Sequence, residues 1–106
     1  MARIGLLLQV RPERLEEYNE IHARVWPGLL QALREAGIRN YSLFQQPDGL
    51  QFGYLECDDW GAVCAYLDHN PVHLKWQEWM RDFLIVPQGA EGSQPVMRLR
   101  EILHVE

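Results

Sequence analysis

Alternating apolar and polar positions predict four β-strands along the chain of 106 residues. The first strand, at 3–10, is apolar on both faces, which is typical of a central strand that is covered on both sides. The same alternation predicts strands at 39–46, 50–57 and 96–105. A Pro-Asp-Gly sequence between the second and third strands predicts a turn, so these two should form a hairpin.

Apolar residues at steps of three and four predict a long first helix over 12–36, which Gly37 should end. Pro27 lies inside this pattern, and a proline in a helix interior removes a backbone hydrogen bond at a cost of about 3 kcal/mol. We therefore expect the helix to bend near Trp26. The alternative is that Pro27 starts a second helix over 27–36.

Two further helices are predicted by the residues at their N-termini. A pair of aspartates at 58–59 should cap a short helix over 60–67. An Asn-Pro pair at 70–71 is typical of an N-cap and a first turn, so we expect a last helix that runs to residue 83. The residues that follow, 86–95, are rich in proline and glycine and should form a loop.

The predicted order of elements is β-α-β-β-α-β, with the second helical part in two pieces. This order defines an α+β, ferredoxin-like fold: a four-stranded antiparallel sheet with its helices on one face. The other face also carries apolar residues, and pairing of two sheets across a two-fold axis would cover them. We predict a single domain over residues 1–106 that forms a homodimer.

Composition and charge indicate which partners the protein does not bind and where in the cell it is expected. The net charge of −5 comes without a basic cluster, which argues against binding to nucleic acid or to an anionic membrane. No apolar run reaches the roughly 18 residues of a membrane span, and the first strand is too short for a signal sequence. The two cysteines, Cys57 and Cys64, form neither a CxxC motif nor a secreted framework, so we expect a cytoplasmic protein.

The first helical pattern carries a candidate site. Tyr18, His22 and Trp26 follow one another at four-residue steps and should share one stripe of the helix. An imidazole can give or take a proton near neutral pH. With Tyr41 and Trp76, these side chains could form an aromatic pocket that suits a sugar ring. The alternative is an aromatic core in which His22 donates to a backbone carbonyl.

Signals for a metal or cofactor are weak. His69 and His73 are four residues apart, but an Asn-Pro pair lies between them and no HExxH motif is present. Cys57 has no cationic or helix-N-terminal setting that would activate its thiol. A glycine-rich phosphate loop is also missing. We therefore expect no cofactor.

Several motifs together resemble the L-rhamnose mutarotase family over nearly the whole chain. The first helix carries the most specific of them, in which a histidine is followed four residues later by Trp-Pro. The matching residues are Pro12, Glu17-Tyr18, His22, Trp26-Pro27, Asn40-Tyr41-Ser42-Leu43, Trp60-Gly61-Ala62-Val63, Trp76, Met80 and Glu101.

The resemblance implies a dimeric α/β barrel of ferredoxin-like subunits and a cofactor-free epimerase that acts at the anomeric carbon of a deoxyhexose. It implies that His22 is the proton donor and that Tyr18, Tyr41 and Trp76 bind the monosaccharide. In relatives a second aromatic residue often follows this tryptophan, whereas this chain has Gln77, which we also expect to bind substrate. L-rhamnose and L-fucose are therefore both candidate substrates.

Two other functions fit the same fold. One is a cofactor-free monooxygenase of the dimeric α/β barrel type, which would use the same aromatic pocket. The other is a non-catalytic sensor of small molecules. Fold alone does not choose among them.

Overall fold

The computed structural model describes residues 1–86 and 96–106. It contains five β-strands, four α-helices and one 3₁₀ turn among those residues. In chain order they are β1 (Ala2–Val10), the 3₁₀ turn (Pro12–Arg14), α1 (Leu15–His22), α2 (Pro27–Glu35), β2 (Arg39–Gln45), β3 (Leu50–Cys57), α3 (Trp60–Asp68), α4 (Pro71–Met80), β4 (Leu84–Ile85) and β5 (Met97–Leu99).

The strands form one antiparallel sheet in the order β2-β3-β1, with β4 and β5 both paired to the free edge of β1. β5 pairs with the middle of β1 and β4 with its end. The order β5-β1-β3-β2 confirms the predicted ferredoxin-like arrangement.

One face of the sheet forms the core. Alternate residues of β1, from Ile4 to Val10, are buried there, as period-two alternation requires. Side chains of all four α-helices pack against this face. The other face carries Leu7, Phe44, Phe52, Tyr54 and Leu99, and no helix of the described residues packs against it.

The prediction of one bent first helix was wrong, and the alternative is confirmed. α1 ends at His22 and α2 begins at Pro27. Trp26 has φ −56° and ψ 131°, because a residue before proline is pushed out of the helical region. The break therefore separates His22 from Trp26 by a short turn.

Both predicted N-caps are confirmed. The side chain of Asp59 accepts a hydrogen bond from the Ala62 backbone N–H at 3.2 Å. Asn70 accepts one from the His73 backbone N–H at 3.0 Å. The last helix, however, ends at Met80 rather than at residue 83, because a turn leads directly into β4, which the sequence pattern missed.

The final strand is shorter than predicted. β5 spans three residues, and its register with β1 places Glu101 opposite Arg3, where the two side chains form a two-pronged ion pair at 2.8 and 2.9 Å. Since β1 begins at Ala2, the last residues run past the end of the sheet and have no strand to pair with. Most of the predicted loop at 86–95 lies outside the described residues.

None of the helices described is long and apolar enough to cross a membrane.

Candidate active site

Helices α1 and α4 bring the predicted aromatic residues together. The Tyr18 and His22 rings lie 4.0 Å apart between centroids, one turn apart on α1. Trp76, on α4, meets the His22 ring edge-on at 5.4 Å. Trp26 lies in the break after α1 and stacks on Trp79 at 5.5 Å. Two aromatic rings, Tyr18 and Trp76, therefore contact the imidazole, and Trp26 and Trp79 pack against Trp76.

The hydrogen bond of His22 defines which of its ring nitrogens carries the proton. Its Nδ1 lies 2.9 Å from the carbonyl oxygen of Tyr18. Since a carbonyl oxygen only accepts, Nδ1 carries the proton, and Nε2 of the neutral ring holds the free lone pair. Partial burial lowers the pKa of His22, which favours this neutral form. Nε2 has no hydrogen-bond partner among the described residues and can take a proton from a ligand.

A cavity of about 400 Å³ lies beside this imidazole. Its volume falls within the range of roughly 300–1,000 Å³ that is usual for small-molecule sites. Four of the residues predicted to form the site line it: His22, Tyr41, Trp76 and Gln77. The remaining walls are apolar side chains of α2, β2 and β3, together with Val25, Ile38 and His73.

Tyr18 is not part of that cavity. It is buried and lines a second cavity of about 270 Å³, which His22 also lines. Polar side chains line this second cavity: Asn19, Gln45 and Gln51. His22 and Leu43 line both cavities, so the imidazole stands between an aromatic side and an amide side.

The three amide residues were not predicted as site residues. A signal for two of them was present, because Gln45 continues the inward-facing series of Tyr41 and Leu43 along β2, and Gln51 faces inward on β3. A polar residue at a core-facing strand position requires a buried partner.

Tyr41 keeps 38% of its surface exposed although its phenol group reaches toward the interior. Desolvation, with a smaller contribution from Tyr18, raises the pKa of Tyr41. Burial likewise raises the pKa of Tyr18, and a hydrogen bond from Gln51 opposes that shift. Both phenols are therefore protonated at neutral pH.

His73 is a further residue of the site that the sequence suggested only as one member of a metal pair. It is 1% exposed, and its Nδ1 donates to the Leu67 carbonyl oxygen at 3.1 Å. Its Nε2 lies 3.2 Å from the Gln77 amide nitrogen, which must donate to it. Burial lowers the pKa of His73 and favours the neutral ring that this arrangement needs. His69 bonds instead to the Ala65 carbonyl oxygen, away from His73.

Trp79 does not line either cavity beside His22. It packs on Trp26 and Trp76 and borders a surface depression beside Glu17, Glu20 and Arg24. Among the described residues, no group of three potential ligands is placed to hold a metal ion.

Fold and site together define a small ferredoxin-like α+β domain that presents a neutral imidazole to a cavity with aromatic walls. Residues 3–105 match the family model described as L-rhamnose mutarotase. The chain belongs to the L-rhamnose mutarotase family and is an isomerase of the epimerase type.

Relatives that carry this name match along their whole length. The L-rhamnose mutarotase of Enterococcus faecalis is 32% identical over 109 residues, which cover 99% of this chain and 100% of the relative. That of Opitutus terrae is 31% identical over 110 residues, with complete coverage of both. A crystal structure of L-rhamnose mutarotase from Formosa agariphila superposes with a TM-score of 0.81 at 23% identity over all of both chains and supports the fold. The family favours an isomerase over the monooxygenase and the sensor considered above.

Proposed function

We propose that the protein interconverts the α and β anomers of L-rhamnose, or of a related deoxyhexose such as L-fucose. The observation that carries this proposal is the imidazole of His22, which lines two cavities of about 400 and 270 Å³ and whose Nε2 has no partner among the described residues. The names of the relatives support L-rhamnose as the sugar.

The chemistry requires one proton to reach the ring oxygen and one to leave the anomeric hydroxyl. The bond between C1 and the ring oxygen then breaks to give an aldehyde, the C1–C2 bond rotates, and the ring closes on the other face. His22 acts as base toward the anomeric hydroxyl in one direction and as proton donor in the other, because an imidazole can both take up and release a proton. The chain's own side chains carry both proton transfers, so the step needs no cofactor.

The cavity walls hold the sugar against this imidazole. Trp76 presents an aromatic surface to the apolar side of the ring, and the Tyr41 hydroxyl offers a directed hydrogen bond. Gln77 contributes its amide, whose carbonyl oxygen is left for a sugar hydroxyl because the nitrogen is held by His73. Tyr18 binds from the second cavity.

The enzyme works as a homodimer in this proposal, with the open faces of two sheets packed together. Phe52 is 41% exposed at the centre of that face, and Phe44 and Leu99 lie close by in the register. A contiguous apolar surface of this kind is rare on a monomer. We expect the dimer to act in the cytoplasm, where thiols stay reduced, because its two cysteines, both among the described residues, form no disulfide. Burial raises the pKa of the Cys57 thiol, which makes that thiol unreactive.

Saturation-transfer NMR on L-rhamnose and on L-fucose tests the proposal. We expect the parent protein to speed anomer exchange and a His22→Ala variant to be slower by about 10²–10⁴-fold, the usual contribution of a general acid–base group. His69→Ala is a matched control, because His69 also bonds to the carbonyl four residues before it but lies away from the cavities.

Circular dichroism should show that both variants fold like the parent. A folded His22→Ala protein that exchanges anomers at the parent rate would remove His22 from the mechanism. The sugar whose exchange is accelerated more, L-rhamnose or L-fucose, is the better substrate.

A further inference from the structure

A chain of hydrogen bonds between side chains runs beneath the second cavity and ends at Tyr18. Asn19 and Gln45 donate to each other through their amides, both at 2.9 Å. Gln45 also donates to the Gln51 side-chain oxygen at 3.0 Å. Gln51 in turn donates to the Tyr18 hydroxyl oxygen at 2.9 Å.

The number of amide hydrogens available in this series of hydrogen bonds determines which group donates at each step. Both amide hydrogens of Gln45 are used, one by Asn19 and one by Gln51. Because the Gln51 oxygen accepts from Gln45, its amide nitrogen must face Tyr18. Gln51 is 2% exposed, so this orientation is enclosed by protein.

The consequence falls on the Tyr18 hydroxyl. Its oxygen accepts from Gln51, and its own proton has no acceptor among the described residues. Tyr18 and His22 both line the second cavity, as does Gln51, whose amide donates to the Tyr18 hydroxyl. Two residues of that cavity, whose rings lie 4.0 Å apart, therefore offer complementary groups: a hydrogen-bond donor, the Tyr18 hydroxyl, and an acceptor, Nε2 of the neutral His22.

We propose that Gln51 is a positioning residue that sets Tyr18 as the proton donor to the ring oxygen of the sugar, and that the amide-lined cavity holds that oxygen. This inference rests on the mutarotase function proposed above. As the C1–O bond breaks, the Tyr18 proton passes to the ring oxygen while the anomeric hydroxyl gives its proton to Nε2 of His22. Ring closure on the other face returns both protons, so the step balances.

Two substitutions at one position test the direction of the hydrogen bond. Gln51→Leu removes the donor, and we expect the kcat for anomer exchange to fall about tenfold, as for one lost hydrogen bond, with a smaller change in KM. Gln51→Glu keeps the size of the side chain. Its ionised carboxylate only accepts, so it draws the Tyr18 proton away from the cavity and lowers kcat.

The pH profile of Gln51→Glu separates this role from a structural one. Once protonated, the carboxyl group introduced by this substitution donates to Tyr18 as the amide does, so the ratio of variant to parent kcat should rise as pH falls. The groups that face Tyr18 do not produce this rise: His22 is present in both proteins and cancels in the ratio, as does Arg14, which is stacked on Phe83 next to Tyr18, and the Tyr41 phenol stays protonated. A constant ratio across pH would overturn the inference.

Gln31→Leu is the matched control, since it removes a glutamine side-chain hydrogen bond from the surface of α2, away from both cavities. It should keep the parent kcat. If Gln51→Leu also keeps it, the inference is wrong.

NMR of ¹³Cζ-labelled tyrosine examines the hydrogen bond without any sugar. Since Gln51 lowers the pKa of Tyr18, its loss should raise that pKa and move the Tyr18 signal, which a Tyr18→Phe variant assigns. An unmoved signal would overturn the inference while leaving a mutarotase. A parent that exchanges no sugar anomers would instead overturn the proposed function.

Discussion

Two histidines in this site make the same hydrogen bond through Nδ1 but differ at Nε2. In both His22 and His73, Nδ1 donates to a backbone carbonyl oxygen. The Nε2 of His22 has no partner among the described residues, whereas that of His73 accepts from Gln77. The i,i+4 spacing of His73 and Gln77 was readable from the sequence, but the burial that makes their pairing matter arises from the packing of α4 on the sheet.

The free energy of unfolding should depend on pH because the pKa values of His22 and His73 are lowered in the folded protein. Burial lowers the pKa of His22 and of His73 in the folded protein below the roughly 6.5 of an unfolded chain. Below that value the unfolded chain binds protons first, so folding loses stability as pH falls, by at most about 1.4 kcal/mol per pH unit for each ring. Above it these two groups contribute no slope.

Urea unfolding at about pH 7.5 and about pH 5.5 measures the loss. We expect it to be smaller in His73→Gln than in the parent and unchanged in His69→Gln, where the exposed ring has no such burial. Equal losses in all three proteins would show that His73 is not held neutral by the fold.

At the scale of elements, the Trp26-Pro27 pair explains both the success and the failure of the periodic pattern. The apolar spacing continues through 12–36, so it correctly placed the buried faces of α1 and α2 toward the core. It could not show continuity, because Trp26 must leave the helical region before Pro27. The break ends α1 at His22 and places Trp26 where its ring reaches Trp76 and Trp79.

The N-cap of α4 links an element's stability to the site. Asn70→Ala removes the bond to the His73 backbone N–H and should lower the free energy of unfolding by about 1 kcal/mol. Asp59→Ala removes the corresponding cap of α3, away from both cavities, with a similar expected cost. In urea unfolding the two losses should match, and only Asn70→Ala should raise KM. A KM change of equal size in both variants would show that the Asn70 cap has no specific effect on the site.

At the scale of the whole molecule, the alternation of β1, β2 and β3 was enough to predict the sheet and its covered face. It missed β4, because two residues are too few to show a period. It also did not predict the extent of β5, because the alternation continues through 96–105 whereas the strand ends at Leu99, opposite Gly5 of β1. The two cavities could not be predicted, because their shape depends on the distances between elements, and a local sequence pattern contains no information about those distances.

The open face of the sheet leads to a prediction about assembly. A lysine at Phe52 would place a charge at the centre of the proposed interface, where it would have to be desolvated without a partner. Light scattering after size-exclusion chromatography should give twice the 12.4 kDa chain mass for the parent and a single chain mass for Phe52→Lys. Leu74→Lys is the matched control, because Leu74 on α4 is 40% exposed, nearly the same as the 41% of Phe52, but lies on the helical layer. It should remain a dimer. A monomeric parent would remove the sheet face as an interface, and a dimeric Phe52→Lys would place the interface elsewhere on the molecule.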